Sequence, residues 1–263
     1  MTATSVLGVL SPLNATNKRT SLMLVMGTVA FLCLAWVFSP SPLLPTPTEV
    51  WSCFQDQWAA GLGAQLVISY TLNVQAILWS LVISLGLSYL SVVPIFKPIV
   101  EMSTYLRFLS MAGLSVAFAV AIANPHTVKV AMLTFSISVW FITSMLDVIK
   151  AIPQEQFDLA RTLRMGPVRT VWEVVVLGQV DKVFNVLRQT AAMGWMMLTM
   201  VESVVFAEGG VGTVLQTMQK HARFGDIMAI QICILILGAT QDYGIGVAKN
   251  LFCPYAALNG GKR

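Results

Sequence analysis

The sequence predicts an all-α membrane protein of about six transmembrane helices. Three observations carry that prediction. Of the 263 residues, 56% are hydrophobic and only 11% charged. The mean hydropathy is +0.76. Long uncharged runs recur along the chain, parted by short polar or proline-bearing breaks. A soluble domain carries about 25% charged residues. A chain this apolar would expose large sticky patches in water, so lipid must be its main solvent. The length suits one compact membrane domain and leaves no room for a separate catalytic one.

A span needs about 17–25 mostly apolar residues. Leu22–Phe38 is uncharged, follows Lys18 and Arg19, and runs into the proline-rich Ser39–Pro47. No small-residue cleavage site follows, so it reads as a first span and not a signal peptide. Glu49–Gly63 is rich in tryptophan and reads as a short interfacial helix. Ala64–Leu90 is the second span, broken by Val93–Pro98. Glu101–Ile122 is the third, followed by a turn at Asn124–His126, and Val128–Leu146 is the fourth. Lys150–Lys182 is the one long polar stretch. Val183–Phe206 reads as the fifth span, Ala207–Gly225 as a loop and Ile227–Val247 as the sixth span. The expected division is a tail, first span and outer segment over 1–63, a membrane core over 64–255 with a polar hinge at 151–177, and a tail over 256–263.

Charge placement sets the expected orientation. With the N-terminus in the cytoplasm, the inner side holds Lys18, Arg19, Lys97, Lys150, Arg161, Arg164, Arg169, Lys182, Arg188, Lys249, Lys262 and Arg263. The outer side holds only Lys129, Lys220 and Arg223, and Arg107 falls within a span. Cytoplasmic loops are the positive ones, so both termini are expected inside. The same rule accounts for the net charge of +4, and no nucleic-acid partner is expected.

Several chemistries find no support. Cys33, Cys53, Cys233 and Cys253 show no metal or disulfide spacing. His126 and His221 are isolated, and no nucleophile motif accompanies them, which argues against a membrane enzyme. The chain has no phosphate-binding loop. Gly260–Arg263 lacks the strand and helix such a loop needs. No cofactor is expected in this chain. No inverted repeat with matched broken helices is visible, which argues against a secondary transporter or channel.

The polar hinge has a readable design. Pro153 suits a first helical position, and Glu155 and Asp158 sit where the helix dipole favours acids. Leu159 and Leu163 share a face, with Phe157 and Ala160 close to it. Gly166 is a good terminator, and Pro167 can open a second helix. Val168, Val171, Trp172 and Val175 continue at helical spacing. The outcome is two short helices with a bend, either lying on the membrane surface or serving as a docking element for a soluble partner.

The run Asp158–Leu177 resembles the coupling-helix signature of ABC importer permeases, most closely the nitrate, sulfonate, taurine and bicarbonate group. Other segments agree in order: Leu44–Val50, Arg107 where the group has an arginine, Gly194-Trp195, Glu202, Gly209–Gly212, Gly238–Tyr243 and Pro254-Tyr255. The likeness runs from about residue 44 to 255. Asp158 and Leu159 depart from the signature's Glu and Ala. Arg164 stands where the signature has glycine, with Gly166 two residues later, so a shifted bend is expected. Leu177-Gly178 replaces Leu-Pro, and Phe108–Gly113 lacks the family's prolines.

The resemblance implies a type I importer fold in the bacterial inner membrane. It implies a second permease copy, a binding protein outside, and cytoplasmic ATPase subunits that carry ATP and Mg. Pro153, Phe157, Asp158, Leu159, Ala160, Leu163, Arg164 and Gly166 would couple to the ATPase. Charged and polar groups in lipid each need a reason. Arg107, Ser110, Glu202 and Asn73 are the residues expected along the translocation path or at its gate. The alternatives are an interhelical hydrogen bond for Glu202, snorkelling or pairing with Glu101 for Arg107, and helix packing for Asn73.

Overall fold

The structure is a computed structural model that describes residues 18–37 and 45–254. The tail before Lys18, Phe38 at the end of the expected first span, most of the proline-rich stretch (Ser39–Leu44), Tyr255 and the tail over 256–263 lie outside the described residues.

Every described element is helical. Helix α1 (Lys18–Val37) exposes Leu22, Met26 and Phe31, as a lipid-facing helix does. Helix α2 (Pro47–Ala59) opens with a capping box: Glu49 N–H donates to Thr46 Oγ1 at 3.4 Å, and Thr46 N–H donates to Glu49 Oε2 at 2.8 Å. Its Trp51 and Trp58 stay exposed, as an interfacial belt requires.

Helices α3 (Leu62–Leu90), α6 (Pro125–Lys150) and α11 (Phe224–Phe252) are, among the described residues, the three helices long and apolar enough to cross a membrane. Helix α9 (Val180–Val204) has the length as well, but carries Asp181, Lys182, Arg188 and Glu202.

The expected third span is not continuous. Helix α4 (Lys97–Ser103) runs into a 3-10 turn at Thr104–Phe108. Leu109 and Ser110 are extended (ψ 130° and 126°), and helix α5 (Met111–Ala121) then leaves at 114° to the first half. Ser103 and Thr104 hydroxyls donate back to the Val100 and Glu101 carbonyls, which loosens the helical ladder just before the break. Phe118 then packs edge-on against Phe135 of α6. This corrects the reading of Glu101–Ile122 as one helix.

The expected loop after the fifth span also contains a helix, α10 (Val211–Lys220). It buries Val211 and Leu215 with Leu62, Leu66, Ile230 and Cys233, between the starts of α3 and α11. The main core joins α3, α6 and α9 through Leu72, Ala76, Ile77, Leu133, Ile137, Ala191, Trp195 and Leu198. Ser80, Ser84 and Ser88 recur every four residues on α3 and are fully enclosed. Ser84 Oγ donates to the Ser138 carbonyl of α6 at 3.3 Å. Small side chains here let the α3 and α6 backbones approach closely.

Candidate functional site

Two clusters stand at opposite ends of the bundle. The first is the hinge between α6 and α9. Helix α7 (Gln154–Thr162) takes Pro153 as its N-cap, one position earlier than a first helical residue. Ala160 is buried at 2% exposure and pins the helix to the bundle. Phe157 is half-buried beside Val92, Leu146, Ile149 and Val175. Lys150 and Glu101 pair above it at 3.0 Å, so Glu101 is taken by Lys150 and not by Arg107.

The bend of the hinge lies at Arg164. Met165 N–H donates to the Ala160 carbonyl at 3.0 Å and Arg164 N–H to the Arg161 carbonyl at 2.9 Å. These are the two bonds of a Schellman cap. Its left-handed residue is Arg164, at φ 51°. Gly166 has an ordinary φ of −67° and N-caps helix α8 (Pro167–Thr170). Gly166 is therefore not the terminator, and the bend has not shifted. Arg164 is left-handed at the position where the resembled signature has glycine.

Beyond α8 the chain stays helical but irregular, with a π turn at Val171–Val176 and a 3-10 turn at Leu177–Gln179 leading into α9. Inserted turns of this kind occur often at functional sites. Leu159 is 61% exposed and Leu163 60%; Val168 and Trp172 of the adjoining turns are exposed too. Asp158 is held by Arg161 at 3.0 Å on the surface. The hinge is thus anchored by the buried Ile152, Ala160 and Val175 and keeps an open apolar outer face.

The second cluster surrounds Glu202, which is wholly buried. Ser69 Oγ donates to its Oε1 at 2.6 Å, and Gly212 N–H donates to its Oε2 at 2.7 Å. Val211 N–H donates to Ser69 Oγ at 2.8 Å, and Gly210 N–H to Gln65 Oε1 at 2.7 Å. Lys129, 1% exposed, donates to the Gly209 carbonyl at 2.8 Å. The acid therefore caps the N-terminus of α10 and ties it to α3 and α9.

The glycines make this possible. Glu208, Gly209 and Gly210 all have positive φ, and a Cβ at Gly210 would collide with the Glu202 carboxyl group. A Cβ at Gly212 would meet the Thr199 carbonyl. On the outside of the same turn, His126 Nδ1 lies 3.1 Å from Glu208 Oε2.

The remaining candidates lie apart. Asn73 is enclosed, with its Nδ2 donating to Gln241 Oε1 at 3.1 Å; Trp195 Nε1 donates to the same oxygen at 2.9 Å. This is the junction of α3, α9 and α11. Arg107 and Ser110 are exposed at the break in the third span, with the Arg107 guanidinium 5.0 Å over the Phe108 ring. The sequence reading missed the burial of Lys129 and the role of Gln65. Neither leaves a local signal, because each is defined by a backbone group far along the chain.

No family model matches the chain. It is similar to the bicarbonate transport system permease protein CmpB of Synechocystis sp. (strain ATCC 27184 / PCC 6803 / Kazusa), at 22% identity over 249 residues, covering 88% of each chain. In fold it resembles a chain from the crystal structure of an amino acid ABC transporter with histidines, with a TM-score of 0.57 at 14% identity, covering 75% of this chain and 95% of that one.

The chain is similar in sequence to a transport-system permease and in fold to a chain of an ABC transporter. Its helices make it a multi-pass protein of the inner membrane, and it acts as a component of a transporter. The α7–α8 hinge connects α6 to α9, while the Glu202 cluster locks α10 at the other end of the bundle.

Proposed function

We propose that this permease forms the translocation path for a small anion of the bicarbonate, nitrate or sulfonate class. A binding protein outside the cell delivers the anion. A second copy of the chain completes the path, and cytoplasmic ATPase subunits, which hold ATP and Mg, drive it. Both termini and the hinge lie in the cytoplasm. The substrate class rests on the likeness to the bicarbonate permease and on the family signature across the hinge.

The observation that carries the mechanism is the anchored but open hinge. Ala160 and Phe157 hold α7 against the bundle, while Leu159, Leu163, Val168 and Trp172 offer an exposed apolar face. Exposed large apolar side chains grouped on a polar loop mark a protein contact. A push on that face passes through α8 and the irregular turns into α9, and through Lys150 into α6. Alternating access then follows from a partner that binds one state of the pair more tightly. Pro153, Asp158, Arg164 and Gly166 set the shape of the hinge.

Arg107 and Ser110 are open at the break in the third span and suit contact with a passing anion. Uptake of radiolabelled bicarbonate by Arg107→Gln tests that role; wild-type uptake would remove it. Glu202 and Asn73 are enclosed, and their part in gating would be to hold the helices that move. Co-purification of an ATPase with the wild-type chain, lost when Leu159 and Leu163 become aspartate, tests the main reading. The rival is a secondary transporter or channel, which would move its substrate in vesicles without any ATPase.

A further inference from the structure

The ion pair between α9 and α11 belongs to neither cluster. Arg188 Nε donates to Asp242 Oδ1 at 2.8 Å, and its Nη2 donates to Oδ2, a two-pronged pair. Arg188 stands eight residues into α9, and Asp242 stands ten residues before the end of α11. At 1.5 Å per residue these are about 12 and 15 Å from the ends of helices about 38 and 44 Å long, which overhang a hydrocarbon core about 30 Å thick, so the pair lies inside the core near one of its faces. Yet the side chains keep 41% and 43% exposure in the subunit. Ionised groups at that depth face a bundle interior or a water-filled cavity, not lipid.

A cavity of about 700 Å³ opens beside the pair, between α9 and α11. Asp242, Thr199 and Gln231 supply its polar lining, with Ala192, Trp195 and Gly238 between them. Arg188, Ala192, Met196 and Thr199 recur every three or four residues, so one stripe of α9 follows it. Asp242 lines the cavity, and Arg188 holds it from the neighbouring helix.

We infer that this cleft is a wall of the water-filled path and that Arg188 cancels the Asp242 charge so that anions can pass. This rests on the small-anion reading above. A bare carboxylate in a low-dielectric channel repels anions strongly. With the guanidinium on it, the wall keeps polar groups but no net charge. Arg188 is thus a positioning and charge-balancing residue whose own contact with the substrate is not required.

The test uses the whole importer in membrane vesicles. Ala192→Cys, in a chain whose native cysteines are replaced, is treated with a charged, membrane-impermeant thiol reagent. Labelling is expected. Absence of labelling, or a disulfide between two copies, would overturn the aqueous wall. Bicarbonate uptake is then compared in Arg188→Gln and in Arg188→Gln combined with Asp242→Asn, with co-purified ATPase as the folding control. The single variant should lose about tenfold in uptake from the uncancelled like charge, and the double variant should recover most of it. A double variant as inactive as the single one would overturn charge cancellation. If the wild-type importer takes up no bicarbonate, nitrate or sulfonate, the anion reading fails and charge cancellation falls with it, while thiol labelling still decides whether the cleft is wet.

Discussion

Ser69 sits between two partners that are far apart in sequence: it gives its hydroxyl proton to Glu202 at 2.6 Å and takes the Val211 N–H at 2.8 Å. One hydroxyl thus joins α3, α9 and the start of α10. The acid itself spans the remaining gap by accepting from Gly212. Loss of the acid would leave the Ser69 hydroxyl and the Gly212 N–H as buried donors with no acceptor.

Glu202→Ala should therefore destabilise the chain by about 3 kcal/mol or more, since each orphaned buried donor costs about 1–3 kcal/mol. Thermal unfolding in detergent would measure it. Glu202→Gln keeps one acceptor and should cost less. If the alanine variant melts with the wild type, the cluster is not a structural lock.

Gly210 is at φ 118° and ψ 163°, a region open in practice only to glycine. Gly210→Ala also drives a methyl group into the Glu202 carboxyl. Backbone strain alone costs about 1–3 kcal/mol, so a marked fall in melting temperature and in yield of folded protein is expected. A variant with wild-type melting would show that the turn can relax.

Arg164→Gly should stabilise the hinge by about 0.5–1 kcal/mol, because glycine takes left-handed φ without steric cost but pays entropy in the unfolded chain. Global melting averages over the whole chain, so hydrogen exchange across Leu159–Met165 is the sharper measurement of so local an effect. Faster exchange in the glycine variant would contradict the Schellman geometry.

Leu159→Asp together with Leu163→Asp should leave melting within about 0.5 kcal/mol of the wild type, as surface changes usually do. ATPase co-purification should be lost. A double variant that keeps its ATPase would move the docking face elsewhere; one that unfolds would show that these side chains are packed.

The membrane class, the boundaries of α3, α6 and α11, and the polar hinge were legible because they rest on composition and local pattern. Long uncharged runs announce helices in lipid, and Pro153, Gly166 and Pro167 bracket two short ones. The break at Leu109-Ser110 was not legible. Neither residue is proline or glycine, and an apolar run reads alike whether the helix bends or not. The hinge terminator was assigned to Gly166 on glycine's general preference, yet the bonds from Arg164 and Met165 to α7 fix the left-handed residue two positions earlier.

By itself the sequence determined where the chain meets lipid, where it meets water and which loop carries the family signature. These follow from the transfer of each side chain between two solvents, a property of the residue and its neighbours. Only the tertiary structure decided which polar groups are spent inside the subunit. Glu202, Asn73 and Lys129 are closed off by partners 80 or more residues away in most cases, and Arg188 and Asp242 meet across two helices. A buried polar group is satisfied by whatever the fold brings to it, and that partner is written nowhere near it in the chain.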